Sequence, residues 1–278
     1  MKKNYRIFLA LILVFSMVLI TSCSSQGSSR KEDSFDSKND ERSINEVVTA
    51  LQAFAEKIGE GDPNRQMDAD ITVTDRLDAS GRYSVRISSY HLKNVYNEGS
   101  QGGLLIDGVF QIQSDIEELN SISEMVIYMG ADGSNFAVVN GEKTEPHSDF
   151  LFFVAVTRIP EKVAQIDSEF IKSVSKNTVD GITEYSLVIN GEGLYNSPDL
   201  FNLFVISAFQ EESERFEISD VEYVFSVDED NNPKTSFIRV AINPIDPHGE
   251  VSYISADVSI VFNAFENVVI EEPEYKTD

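Results

Sequence analysis

Residues 253–262 read YISADVSIVF. Ile254, Ala256, Val258, Ile260 and Phe262 share one parity, and Tyr253, Ser255, Asp257 and Ser259 share the other. Successive side chains of a strand point to opposite faces, so this alternation predicts a strand with one apolar and one wet face. One-sided burial is typical of antiparallel sheets. The stretch therefore fixes the fold class, because such a sheet requires something apolar laid across its greasy side.

Working outward, several runs repeat the pattern. ITVTDRLDASGRYSVRISSY (71–90) gives two alternating runs around Asp78-Ala79-Ser80-Gly81, a hairpin signal. LLIDGVFQIQSD (104–115) puts Ile106, Phe110 and Ile112 on one face. EMVIYMGADGSNFAVVNGEKT (124–144) makes two runs around Asp132-Gly133, with a further turn at Asn140-Gly141. GITEYSLVIN (181–190) is another strand, and DVEYVFSV and TSFIRVAI flank a turn at 228–233. The tail NVVIEEPEYKTD (267–278) is expected to add one more strand. DGSNFAVVNGE and DGITEYSLVINGE share a weak echo, each running from Asp-Gly through a strand to Asn-Gly-Glu.

The element to cover the apolar face is a helix. In SINEVVTALQAFAEKIG (43–59), Ile44, Val47, Val48, Leu51, Ala55 and Ile58 recur at helical spacing, with Ser43 and Glu46 as a capping box and Gly59 as the stop. A second helical interval is expected over SDFLFFVAVTRIPEKVAQIDSEFIKSVSK (148–176), broken near Pro160. A third is expected over SPDLFNLFVISAFQEE (197–212), with Ser197 as cap and Pro198 in the first turn. The order predicts a single α+β domain over 44–278: a curved antiparallel sheet with helices against its apolar face.

The N-terminus has a different logic. Lys2, Lys3 and Arg6 precede an apolar run from Ile7 to Ile20, and Cys23 follows, the only cysteine in 278 residues. Charged, apolar and small-residue parts in that order make an export signal over 1–22, with a core too short to stay as a spanning helix. Residues 24–43 hold one large apolar side chain, Phe35, among serines and mixed charges, and read with Cys23 as a flexible tether over 23–43. The chain carries 47 acidic against 22 basic residues, a net charge of −25. Such a surface repels nucleic acid and attracts cations, basic peptides and basic patches on partner proteins.

Ile20-Thr21-Ser22-Cys23 resembles the lipobox of bacterial lipoproteins. The resemblance implies cleavage before Cys23, a diacylglycerol on its sulfur, and residence on the extracytoplasmic face of the cell membrane. The whole layout from Ile44 to Tyr275 resembles the lipoprotein-carrier superfamily, the LolA, LppX and RseB type of half-barrel, and related Gram-positive lipoproteins. The lipobox carries that likeness, with the capped helix from Ile44, the hairpin YMGADGSNFAVVNGEKT and the closing VSIVFNAFENVVIEEPEY. It implies a strongly curved antiparallel sheet, a half-barrel, with helices covering its concave face and an apolar cavity that holds acyl chains in several members. In RseB-type members the module senses envelope state and contacts a partner protein.

Catalytic signals are absent. There is no G-x-S-x-G elbow, no H-E-x-x-H and no phosphate loop, and His91, His147 and His248 lack ligand spacing. The chain is therefore expected to be no enzyme and to need no cofactor or metal. DEDNNP (228–233) sets Asp228, Asp230 and Asn232 close together, but lacks the glycine and distant glutamate of a calcium loop and reads as a hairpin turn.

The greasiest segments point to binding. DFLFFVAV (149–156) leaves no polar side, and LFNLFVISAF (200–209) is apolar nearly all round, so each helix should meet more than one apolar surface. Ordinary core is one reading. A cavity lined by Phe150, Phe152, Phe153, Phe201 and Phe204 for a lipid or acyl ligand is the other. The functional expectation is a lipoprotein anchored at Cys23 that binds an apolar ligand for transport or sensing. The alternative is an acidic module that sequesters cationic peptides or contacts an envelope protein.

Overall fold

The computed structural model describes residues 35–58, 66–79, 82–95, 102–145, 150–195, 197, 198, 200, 215–245 and 251–274. The strands are β1 (Phe35–Lys38), β2 (Gln66–Ala79), β3 (Arg82–Val95), β4 (Gly103–Ser114), β5 (Ser121–Met129), β6 (Asn135–Val139) and β7 (Glu142–Thr144). They continue as β8 (Ile171–Val179), β9 (Ile182–Ile189), β10 (Arg215–Ile218), β11 (Val221–Val227), β12 (Pro233–Ile245) and β13 (Val251–Ala264). The helices are α1 (Glu41–Ile58), α2 (Phe150–Ala155), α3 (Ile159–Val163) and α4 (Gly191–Tyr195). All thirteen strands join one open antiparallel sheet, in the order β1-β8-β9-β11-β12-β13-β2-β3-β4-β5-β6-β7, with β10 extending the β11 side of β12.

The alternation at 253–262 sets the register. Ala256, Val258, Ile260 and Phe262 are buried, and they oppose Asp75, Val73, Ile71 and Ala69 of β2. Asp257 on the other parity accepts hydrogen bonds from Arg76 Nη1 at 2.8 Å and Arg239 Nε at 3.0 Å. The apolar parity runs without a break from Val174 of β8 through Leu187, Tyr223, Ile238, Val258 and Val73. Core and water thus divide between the two faces in this half of the sheet.

Helix α1 lays Val47, Leu51, Phe54, Ala55 and Ile58 on that face. The Phe54 ring centroid lies 5.0 Å from that of Phe225 on β11 and 5.9 Å from that of Phe262 on β13. Its N-terminus differs from expectation. Asp40, not Ser43, is the cap: Asp40 Oδ1 accepts the Ser43 backbone N–H at 3.0 Å and Oδ2 accepts the Ser43 hydroxyl at 2.9 Å. Glu46 takes a salt bridge to Lys176 instead, at 2.9 Å.

Four further expectations are corrected. Among the described residues the sheet starts ahead of Ile44, within the stretch expected as tether: β1 pairs with β8 and Phe35 packs on the core; backbone pairing needs no run of apolar side chains. The helical interval ends early: Pro160 opens α3, a 3₁₀ turn covers Ser168–Phe170, and Ile171–Val179 is strand β8. The tail adds no strand over 265–274, since both edges of β13 are occupied by β12 and β2. It places Ile270 against Tyr128, Phe136 and Val138 on the other side of β5 and β6. The echoed turns also diverge. Asn140-Gly141 and Asp180-Gly181 have positive φ at both residues, as two-residue hairpin turns require, whereas Asn190-Gly191 opens α4, its Asn190 side chain accepting the Glu192 N–H at 3.2 Å.

Candidate functional site: an aromatic strip ending in a charged pair

On β2 the buried parity reads Met67, Ala69, Ile71, Val73 and then Asp75. On β3 it reads Leu92, Tyr90, Ser88 and then Arg86. Their register pairs Ile71 with Tyr90, Val73 with Ser88, and Asp75 with Arg86. The next strand adds Ile106, Gly108, Phe110 and Ile112, opposite Leu92, Tyr90, Ser88 and Arg86. Along one face, therefore, a buried aliphatic zone passes into an aromatic zone and then into a charged pair.

The aromatic zone has three members. Phe153 of α2 sits with its ring centroid 5.1 Å from Tyr90 and 5.0 Å from Phe110, in edge-on and tilted contacts. The Tyr90 hydroxyl donates to the Phe153 carbonyl oxygen at 3.1 Å, and burial pushes its phenol pKa upward. Gly108 makes the arrangement possible: a Cβ there would stand 2.4 Å from Tyr90 Cβ and 2.7 Å from the Ser89 carbonyl oxygen. Phe110 and Phe153 are half-buried, and Ile112 beyond them is 39% exposed.

At the end of the strip, Arg86 Nε lies 3.4 Å from Asp75 Oδ2. The Arg86 side chain is 52% exposed and that of Asp75 24%. Burial raises the Asp75 carboxyl above its ordinary value, with the Arg86 charge pulling it back. A carboxylate and a guanidinium in the apolar phase of two neighbouring strands make an inward-facing ion pair.

Of the expected site residues, Phe153 joins this strip. Phe150 and Phe152 belong to α2, but their side chains lie outside the described residues, as do Phe201, Phe204 and Cys23 altogether. Sequence reasoning alone misses Tyr90, Asp75 and Arg86. A signal for them exists, because Asp75 stands in phase with Ile71 and Val73, where a charge is out of place.

The opposite face carries a second cluster. His91 Nδ1 lies 2.8 Å from Asp70 Oδ1, and Nε2 lies 3.4 Å from Asp68 Oδ1. Asn263 Nδ2 donates to both carboxylates, at 3.1 and 3.0 Å. Histidine here is mid-strand, not at a strand end or loop. The two carboxylates flank opposite nitrogens of one ring, which suits a protonated imidazole and not a shared metal ion; among the described residues no group of His, Cys, Asp or Glu has metal-site geometry. The 228–232 turn closes on itself, with Asp228 Oδ1 accepting from the Asn232 and Asp230 N–H groups at 2.8 and 3.1 Å and Lys234 Nζ 3.0 Å from Oδ2. Those bonds, the Asn232 N–H first, hold the Asp228 pKa down to about 2.

No protein-family model matches the chain, and no curated protein does. Among solved structures it is similar to a DUF1329 family protein from Desulfovibrio piger ATCC 29098, at 9% identity over 82% of this chain and 95% of that one. The TM-score is 0.23, too low for the likeness to bear on fold or function. Among the described residues no helix is long and apolar enough to cross a membrane.

Proposed function

We propose that this protein is a lipoprotein anchored through Cys23 to the extracytoplasmic face of a cell membrane, where it binds an apolar ligand, a lipid or acyl chain, for transport or sensing. The observation that carries the reading is the strip of Tyr90, Phe110 and Phe153, which grades from a sealed core to the half-exposed Ile112 on one sheet face. Apolar surfaces that reach solvent beside a few placed polar groups are how ligand sites are built. In this reading the open sheet is strongly curved, a half-barrel with its helices over the concave face, and α1 and α2 frame the ligand. The aromatic side chains act by shape and apolar area.

The sequestration reading has less support. Part of the described carboxylate on the polar face is already engaged: Asp68 and Asp70 by His91, and Asp257 and Glu222 by Arg76 and Arg239.

The test is to purify the full chain and its Phe153→Gln variant from membranes, extract both with organic solvent and quantify the lipids. A lipid present at fixed stoichiometry in the wild type and depleted in a folded variant is the expected result. Equal lipid in both would remove the reading. Mass analysis of the N-terminal peptide from the same samples checks cleavage before Cys23 and its acylation.

A further inference from the structure

The charged pair at the end of the aromatic strip is unexplained by an apolar ligand alone. Asp75 is the one acid within ion-pair distance of Arg86 among the described residues, and it meets Nε. Among the described residues the guanidinium makes no hydrogen bond, so its donors are open to another acceptor, on a side chain that is 52% exposed. Arginine presents its donors as a planar fork that matches a carboxylate in two parallel hydrogen bonds. Phe110 and Ile112 flank Arg86 on the adjoining strand, where Ile112 is its register partner. A guanidinium bordered by apolar side chains at the exposed end of an apolar strip has the complementarity of an amphiphile.

We propose that Arg86 receives the headgroup of a fatty acid whose chain lies over Ile112 and Phe110 toward Phe153. This rests on the apolar-ligand reading above and names the polar end of that ligand. A single monoanion fits better than a phosphate, because Asp75 beside Arg86 would repel a second negative charge. Strand rise places Arg86 and Tyr90 roughly 13 Å apart along β3, the span of a medium-length acyl chain. Asp75 orients the guanidinium through Nε and tempers its affinity, so that the ligand is held without being locked in.

The experiment uses the full chain in phosphatidylcholine proteoliposomes and two photoactivatable probes with the same diazirine-bearing chain, one ending in a carboxylate and one in an alcohol. Crosslinked peptides are mapped by mass spectrometry. The carboxylate probe should label residues 103–114 at least about tenfold more than the alcohol, the worth of a charge-assisted contact. Arg86→Gln should bring it down to the alcohol's level. Because that variant leaves Asp75 unpaired and can lose its fold, the double variant D75N/R86Q serves as a neutral pair and should give the same loss. Asp75→Asn alone should raise carboxylate labelling. Equal labelling by both probes, or undiminished carboxylate labelling in D75N/R86Q, would overturn the role of Arg86 while leaving the apolar site standing. Labelling by neither probe would overturn both.

Discussion

The Tyr90 hydroxyl and the Phe153 carbonyl oxygen, 63 residues apart in sequence and 3.1 Å apart in space, tie β3 to α2. Tyr90 is buried, and its ring also touches that of Phe153. Tyr90→Phe keeps the ring and removes the donor, leaving a carbonyl unmatched. The expected cost is about 1 kcal/mol, or roughly 2–4 °C in Tm for a domain of this size. Thermal unfolding of the two proteins measures it, and an unchanged Tm would mean the bond contributes nothing.

Gly108 is the seat on which Tyr90 rests. An alanine there needs space already held by Tyr90 Cβ and by the Ser89 backbone, neither of which is a flexible chain end. Gly108→Ala is expected to destabilise by about 1–3 kcal/mol through forced separation of β3 and β4. Denaturant titration reads this as a lower midpoint with the slope preserved.

His91 gives the domain a signed response to pH. Its pKa is raised above 6.5, chiefly by the hydrogen bond to Asp70, with burial opposing and Asp68 assisting. Lys93, next on the same face, pulls the other way. A raised imidazole pKa stabilises the fold fully below 6.5, and that contribution fades as pH rises through the higher folded value. Asp70 is lowered from 3.8 by the same bond, so its contribution is present above 3.8 and fades as pH falls through the lower folded value. The pair therefore helps most between those limits. Denaturation midpoints across pH 4 to 9 should decline through the upper limit in the wild type, and His91→Gln should flatten that decline. A parallel decline in both proteins would assign it elsewhere.

Asp40 closes the first turn of α1 through Ser43. Asp40→Ala should cost about 1 kcal/mol, whereas Ser43→Ala, which removes only the hydroxyl contact, should cost less. The reverse ranking, read from unfolding curves, would restore Ser43 as the cap.

Legibility in the sequence followed the physics of each element. Period-two alternation is written in side chains, so β2, β3, β4, β5, β6, β9, β11, β12 and β13 could be read directly, and tight turns such as Asn140-Gly141 after β6 punctuated them. Strand β1 could not, because its place comes from backbone pairing along β8 and only Phe35 marks it. Strand β8 was hidden by its helical neighbours, since EFIKSVSK supports either period until β9 offers it an edge. Within the site, Phe153 was visible as a member of a greasy run, whereas Tyr90 and Arg86 acquired meaning only through register with Gly108 and Asp75. A side chain's role in a sheet depends on what stands opposite it, and that is set by pairing between strands far apart in sequence.

Strand β1 also decides how the domain answers mechanical load. It is four residues long, sits at the outer edge of the sheet and slips register between Phe35 and Lys38. Any pull on the chain ahead of Phe35 reaches these few hydrogen bonds before it reaches α1. They would break in succession, each freed residue releasing roughly 3.3–3.6 Å of slack. The interlocked rings of Phe54, Phe225 and Phe262 lie further along the chain. A tug from the N-terminal side thus peels β1 away first and leaves the folded body undisturbed.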